Sequence, residues 1–261
     1  MKVSVIGCGW LGTPLAEELI QNGHQVLGST TSANKLNGLR EKGIQPILFK
    51  LDPMPIGENF NQLFDADLLI INIPPGSRTH PPHFYEEQIK YLKYRLESSL
   101  IKKVVFISST SYYPNTNGFV NTSTPPEIKN GSTEAVMKGE HQILQIKQEL
   151  VILRCGGLMG EQRIPGKYFA GKETSGADTP VNYIHQSDVI RIILRMIVNW
   201  PKGKHIFNAV SPEHPTKKEV YEAMANKYGF ETPTWIEPLR TNSKVVESDF
   251  EDLGLKSPMA F

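Results

Sequence analysis

At 261 residues the chain is long enough for a full α/β domain with a modest second lobe, and 39% hydrophobic with 21% charged content is the balance of a folded globule. A net charge of +1, with no lysine- or arginine-rich run, gives nucleic acid and anionic membranes no electrostatic handle. No apolar stretch is long enough to span a bilayer, and the N-terminus reads as a strand, not a signal peptide. Two cysteines, Cys8 and Cys155, make no disulfide framework, so the expected compartment is the reducing cytoplasm.

The first thirty residues organise the rest. Val3-Ser4-Val5-Ile6 is an apolar strand, Gly7-Cys8-Gly9-Trp10-Leu11-Gly12 a glycine turn, and Thr13 onward a helix with Leu11, Leu15 and Leu19 on one face. The spacing G-x-G-x-x-G has a mechanism. Gly7 makes the tight turn, Gly9 lets backbone approach a pyrophosphate, and Gly12 lets the helix pack close to the strand. The residues of this turn, Trp10 and Leu11 included, are the predicted cradle for the cofactor's phosphates, aided by the positive end of the helix.

Residues 25–30 read as a second strand, ending in Ser29-Thr30-Thr31-Ser32 with Lys35 close behind. Sites that prefer NAD often place an acid here to hold the ribose hydroxyls. Hydroxyls at Thr30, Thr31 and Ser32 plus the Lys35 ammonium suit the 2′-phosphate of NADP better than a bare ribose, so NADP is favoured over NAD. Ser32 is also placed to cap the next helix. A third strand over 45–49 leads to Asp52, either an adenine contact or a turn former before Pro53.

Residues 67–73 are a buried parallel strand by their continuous apolar run. The loop that follows, Pro74-Pro75-Gly76-Ser77-Arg78, sits where an open α/β sheet binds its ligand. Pro74 and Pro75 are assigned to the cofactor site, and Arg78 is a candidate phosphate contact. A long helix comes next, with Tyr85, Ile89, Leu92, Leu96 and Leu100 at spacings of three and four, a face for the sheet or for a homodimer partner.

A fifth strand, 104–107, runs into Ser108-Ser109-Thr110-Ser111-Tyr112-Tyr113-Pro114, then a polar loop to about residue 131. Ser132 is the expected cap of a helix through roughly Lys147, and 150–154 form a sixth strand. Glycine-rich, irregular chain follows. A short extended piece covers 180–185, a helix capped by Ser187-Asp188 comes next, and 205–209 form a late strand. Thr216-Lys217-Lys218-Glu219 is a capping box. Alternating strands and helices predict an α/β fold, a Rossmann-type doubly wound parallel sheet in the order 3-2-1-4-5-6 with a seventh strand. The expected organisation is a dinucleotide-binding core over 1–155 and a small C-terminal substrate lobe over 156–261, interleaved with the late strand.

No metal site is expected. Two prolines fix the chain between His80 and His83, and no Cys or acid lies at ligand spacing. Ser109 lacks a G-x-S-x-G elbow, and no P-loop is present.

On residues 5–12, 106–113, 182–188 and 207–211, the chain resembles the extended or atypical branch of the short-chain dehydrogenase/reductase superfamily, among NAD-dependent epimerase/dehydratase-like proteins. The resemblance implies an NAD(P)-dependent oxidoreductase or nucleotide-sugar epimerase/dehydratase with a small-molecule substrate. It assigns Ser109 to hold the substrate's carbonyl or hydroxyl, with Ser111 and Tyr113 beside it as catalytic candidates. It also implies a Tyr-x-x-x-Lys pair at the start of the following helix, where the tyrosine moves a proton and the lysine binds the nicotinamide ribose. That pair is absent. Aligned on Glu140, the two positions hold Ser132 and Val136; aligned on Lys138, the tyrosine position holds Glu134. Candidates to replace it are Tyr112, Tyr113, Glu134, Lys138, Tyr183 and His185. The alternative is a non-catalytic NAD(P)-binding redox sensor or scaffold protein.

Overall fold

A computed structural model describes all residues except Arg78, Lys129, Asn130 and Phe261. The expected Arg78 phosphate contact therefore lies outside the described residues. In chain order the elements begin β1 (Lys2–Ile6), α1 (Gly12–Gln21), β2 (Gln25–Thr30), α2 (Leu36–Glu41), β3 (Gln45–Leu48), β4 (Lys50–Asp52), β5 (Met54–Ile56) and β6 (Leu68–Ile71). They continue with α3 (Pro82–Glu97), β7 (Lys103–Ser109), β8 (Phe119–Val120), α4 (Gly131–Ile143), β9 (Glu149–Cys155) and β10 (Gly157–Met159). The last are β11 (Glu173–Thr174), β12 (Tyr183–His185), α5 (Gln186–Val198), β13 (Lys204–Ala209), α6 (Lys217–Tyr228), β14 (Thr234–Trp235) and β15 (Val245–Val246).

Seven strands form one sheet in the order β13-β9-β7-β6-β1-β2-β3. This is the doubly wound order expected, with β13 as the seventh strand. The pairings of β1 with β2 and β6, of β2 with β3 and of β6 with β7 are all parallel, and the register puts Val5 beside Ile70 and Ile70 beside Val105. β6 is buried along its whole length, which is why it reads as an unbroken apolar run. The strand order reverses between β1 and β6, so their carboxyl ends flank the point where such sheets take ligands.

By compactness the chain divides into two units. The first holds residues 1–108, 128–153 and 193–206; the second holds 109–127, 154–192 and 207–261. In the first, Ile6, Leu27, Ile71, Phe106 and Ile152 pack with Tyr85, Ile89, Leu92 and Leu96 of α3. The second holds small parallel pairs, β10 with β12, β11 with β14 and β8 with β15, and α6, whose Tyr221 and Met224 pack with Phe169 and Trp235.

Several local expectations are corrected. α3 stops at Glu97, and Leu100 lies beyond it, 80% exposed, because Ser98 and Ser99 break the periodic run. α4 starts at Gly131 and ends at Ile143, so Ser132 lies inside it and does not cap it. α5 begins at Gln186, which puts Asp188 in its first turn; there the buried carboxylate accepts from Arg191 Nη1 and from the Lys256 backbone N–H, each at 2.8 Å. The β4–β5 hairpin was not legible from the sequence. The Thr216–Glu219 capping box is present as expected.

Candidate functional site

The glycine turn leaves β1 after Ile6. Gly7 has φ 104°, and a Cβ on it would stand 2.3 Å from the Asn72 carbonyl oxygen, so only glycine fits. Its N–H donates to Ser29 Oγ at 2.9 Å, and its carbonyl accepts from Asn72 Nδ2 at 3.0 Å. The ends of β1, β2 and β6 are thereby tied together. A Cβ on Gly12 would stand 2.1 Å from the Gly7 carbonyl oxygen, so the close packing of helix on strand also requires glycine.

Gly9 differs from both. It is exposed, and a Cβ there would meet nothing within 4 Å. The protein's own packing gives no reason for a glycine at that position, whereas a phosphate lying against the backbone does. No side chain caps α1, and its first turn carries no acid. An uncapped helix start with a bare backbone in front of it fits a pyrophosphate. Leu11 is buried and Trp10 half-buried beside this turn. Cys8 is a buried neighbour of Gly28, and burial pushes its thiol up to about 12, which makes it a packing group and not a nucleophile.

At the end of β2, Thr30 is buried and its Oγ1 accepts the Ser32 N–H at 3.2 Å. Ser32 precedes a short 3₁₀ turn, Ala33–Lys35, but its hydroxyl does not cap that turn. Thr31 and Lys35 are exposed. Asp52 ends β4 as an exposed residue ion-paired with Lys50 of its own hairpin. Pro74 and Pro75 follow β6, and Tyr85 of α3 donates its hydroxyl to the carbonyl of Ile73 just before them at 3.3 Å.

α4 carries no Tyr-x-x-x-Lys sequence. Ser132 is half-buried and Val136 is buried and apolar. Lys138 and Glu134 are ion-paired at 2.8 Å, and Lys138 also reaches Glu86 of α3 at 3.8 Å. They belong to a charged network between two helices. One acid on this helix is buried: Glu140, 1% exposed, accepts a hydrogen bond from Ser108 Oγ at 2.6 Å. The Ser108–Glu140 link escaped sequence reasoning. Its only sequence signal is a charged residue on the helix face that holds Val136 and Ile143.

In the second unit, Ser109 ends β7 and Ser111 lies on the turn after it, both half-buried, and Ser109 Oγ accepts the Ser111 N–H at 3.1 Å. Among the described residues the Ser109 hydroxyl hydrogen meets no acceptor. Tyr113 has another role. It is buried, its hydroxyl donates to Asn208 Oδ1 at 2.6 Å, and it accepts from Arg154 Nη1 at 2.8 Å. The buried Arg154 guanidinium lies 3.4 Å from the ring centre of Tyr112. Lys244 donates from Nζ to the Tyr113 carbonyl at 2.8 Å, tying the turn to the C-terminal segment. His185 Nδ1 accepts the Ser187 N–H at 3.1 Å, and burial holds its pKa below the ordinary value. Burial pushes the Tyr183 phenol up. Among the described residues no cluster of His, Cys, Asp or Glu could hold a metal, and no helix is long and apolar enough to cross a membrane.

Residues 2–117 match the model of the NAD binding domain of 6-phosphogluconate dehydrogenase. Protein YeeZ of Escherichia coli K12 is 34% identical over 235 residues, covering 89% of this chain and 85% of that protein. The chain belongs to the YeeZ family. Its fold is that of the NAD-dependent epimerase/dehydratase-like short-chain dehydrogenases. UDP-glucose 4-epimerase of Thermotoga maritima, solved with UDP-glucose, superposes with TM-score 0.78 at 15% identity, over 100% of this chain and 96% of that one. WbmG of Bordetella bronchiseptica, in complex with NAD and UDP, gives TM-score 0.74 at 17% identity, over 99% and 89%. MoeE5, in complex with UDP-glucose and NAD, gives 0.79 at 16%, over 98% and 93%. This family member thus pairs an NAD-binding Rossmann core with a helix, α4, that contains no Tyr-x-x-x-Lys sequence.

Proposed function

We propose that this protein is an NADP(H)-dependent oxidoreductase or epimerase acting on a nucleotide-sugar substrate. The observation that carries the reading is Gly9, a glycine with open space where a Cβ would be, in front of an uncapped helix. Gly7, Gly9, Trp10, Leu11 and Gly12 hold the pyrophosphate. Thr30, Thr31, Ser32 and Lys35 face the adenosine side; the absence of an acid from residues 29–35 and the Ser32 hydroxyl, which caps no helix, favour a 2′-phosphate. Asp52 and the Pro74-Pro75 loop complete that half. When bound, the nicotinamide supplies hydride chemistry, and the protein supplies binding and orientation.

On the substrate side, Ser109 offers a hydroxyl hydrogen for a carbonyl or hydroxyl oxygen, with Ser111 beside it. Tyr113 holds the turn that carries both. The nucleotide-sugar assignment is supported by the fold neighbours solved with UDP-glucose or UDP. Incubation with UDP-glucose, UDP-galactose or UDP-glucuronic acid and each oxidised cofactor tests it. Reduced cofactor or an epimerised sugar should form, and Ser109→Ala should abolish it. No turnover across the panel, with cofactor binding intact, would favour the redox-sensor alternative.

A further inference from the structure

Adjacent serines at the carboxyl end of β7 have opposite hydrogen-bonding polarity. A hydroxyl carries one hydrogen and two lone pairs. Ser108 gives its hydrogen to Glu140 Oε1 at 2.6 Å, a distance typical of a hydroxyl held by a carboxylate. Ser109 does the reverse, since its oxygen accepts the Ser111 N–H and its hydrogen is left over. Ser108 is half-buried whereas Glu140 is almost completely buried, so the serine keeps an access that the acid lacks. With its hydrogen taken, Ser108 meets any ligand as an acceptor, and the ligand group must donate.

The position narrows the ligand. Ser108, Glu140 and the glycine turn all belong to the first unit, and β6 alone separates β7 from β1 in the sheet. Glu140 lies four residues, about one helical turn, beyond Val136 on the same face of α4. Val136 stands where the resemblance places the lysine that holds the nicotinamide ribose, and it has no polar atom to do so. We propose that Ser108, its hydrogen held by Glu140, accepts a hydrogen bond from a hydroxyl of the cofactor's nicotinamide-side ribose in place of that lysine. Ser108 is then a cofactor-binding residue and Glu140 a positioning residue. The proposal rests on the dinucleotide reading above.

Calorimetric titration with three probes tests it: ADP, ADP-ribose and the full dinucleotide, each with its 2′-phosphate if the wild type prefers that series. ADP lacks the second ribose; ADP-ribose has it but lacks the nicotinamide. In Ser108→Ala, ADP-ribose and the dinucleotide should bind about tenfold more weakly, the scale of one hydrogen bond to a polarised group, while ADP binds unchanged. Ser108→Thr should restore binding, and Glu140→Gln should give a smaller loss with the same pattern. Equal affinity of wild type and Ser108→Ala for ADP-ribose would overturn the proposal. So would an equal loss on ADP, which signals general damage, or a loss confined to the full dinucleotide, which signals a contact to the ring. A wild type that binds none of the three sinks the dinucleotide reading itself.

Discussion

A Cβ on Gly12 would stand 2.1 Å from the carbonyl oxygen of Gly7, inside the distance real side chains ever reach, whereas a Cβ on Gly9 between them would touch nothing. Two of the three motif glycines are therefore required by the fold, and the packing places no such demand on the third. Gly12→Ala should force the helix off the strand and cost about 2–4 kcal/mol, within the range of severe single substitutions. Gly9→Ala should leave the melting temperature of the ligand-free protein within about 2 °C of wild type, as surface changes do. Scanning calorimetry of the two variants checks both. If Gly9→Ala destabilises as much as Gly12→Ala, the open space at Gly9 has another explanation.

The Tyr113 hydroxyl bridges Asn208 and the buried Arg154. Tyr113→Phe takes one partner from each and should destabilise by about 2 kcal/mol, as loss of a buried hydrogen bond to a charged group does. In denaturant titration the midpoint should fall with an unchanged slope. Unchanged stability together with lost turnover would instead return Tyr113 to the chemistry.

Stability should fall on the acid side of neutrality. Burial holds the His185 and His214 imidazoles below the ordinary 6.5, with Lys256 adding to the effect at His185. The unfolded chain takes up protons at both sites below about 6.5 while the folded chain resists, so stability present at pH 7 is lost as pH drops through that value toward the lower folded pKa values. Melting curves between pH 7.5 and 5.5 should show this, and His185→Gln or His214→Gln should flatten part of it. A melting temperature that rises on acidification contradicts the assignment.

Much of the fold was legible because its signals are local. The β1 run, the glycine spacing and the apolar strand before Pro74 each lie within a dozen residues, and right-handed crossovers then leave one strand order. The glycine turn was legible for the same reason. The polar links were not: Ser108 to Glu140 spans 32 positions and Tyr113 to Asn208 spans 95, so only folding brings them together. Tyr112 and Tyr113 look equivalent in sequence. The fold buries one and stacks the other on Arg154. Leu100 continued the apolar period of α3, but Ser98 closes the helix with its backbone before that residue is reached.

Thermal-shift titration of wild type and Gly9→Ala with NAD⁺, NADH, NADP⁺ and NADPH tests the central claim most directly. Ligand at about one hundred times its Kd should stabilise the wild type by roughly 2.7 kcal/mol, with NADPH and NADP⁺ acting at lower concentration than NADH and NAD⁺. Gly9→Ala should lose the shift with all four while keeping its own stability. A wild-type protein that none of the four stabilises, or a Gly9→Ala variant that shifts as the wild type does, contradicts the account.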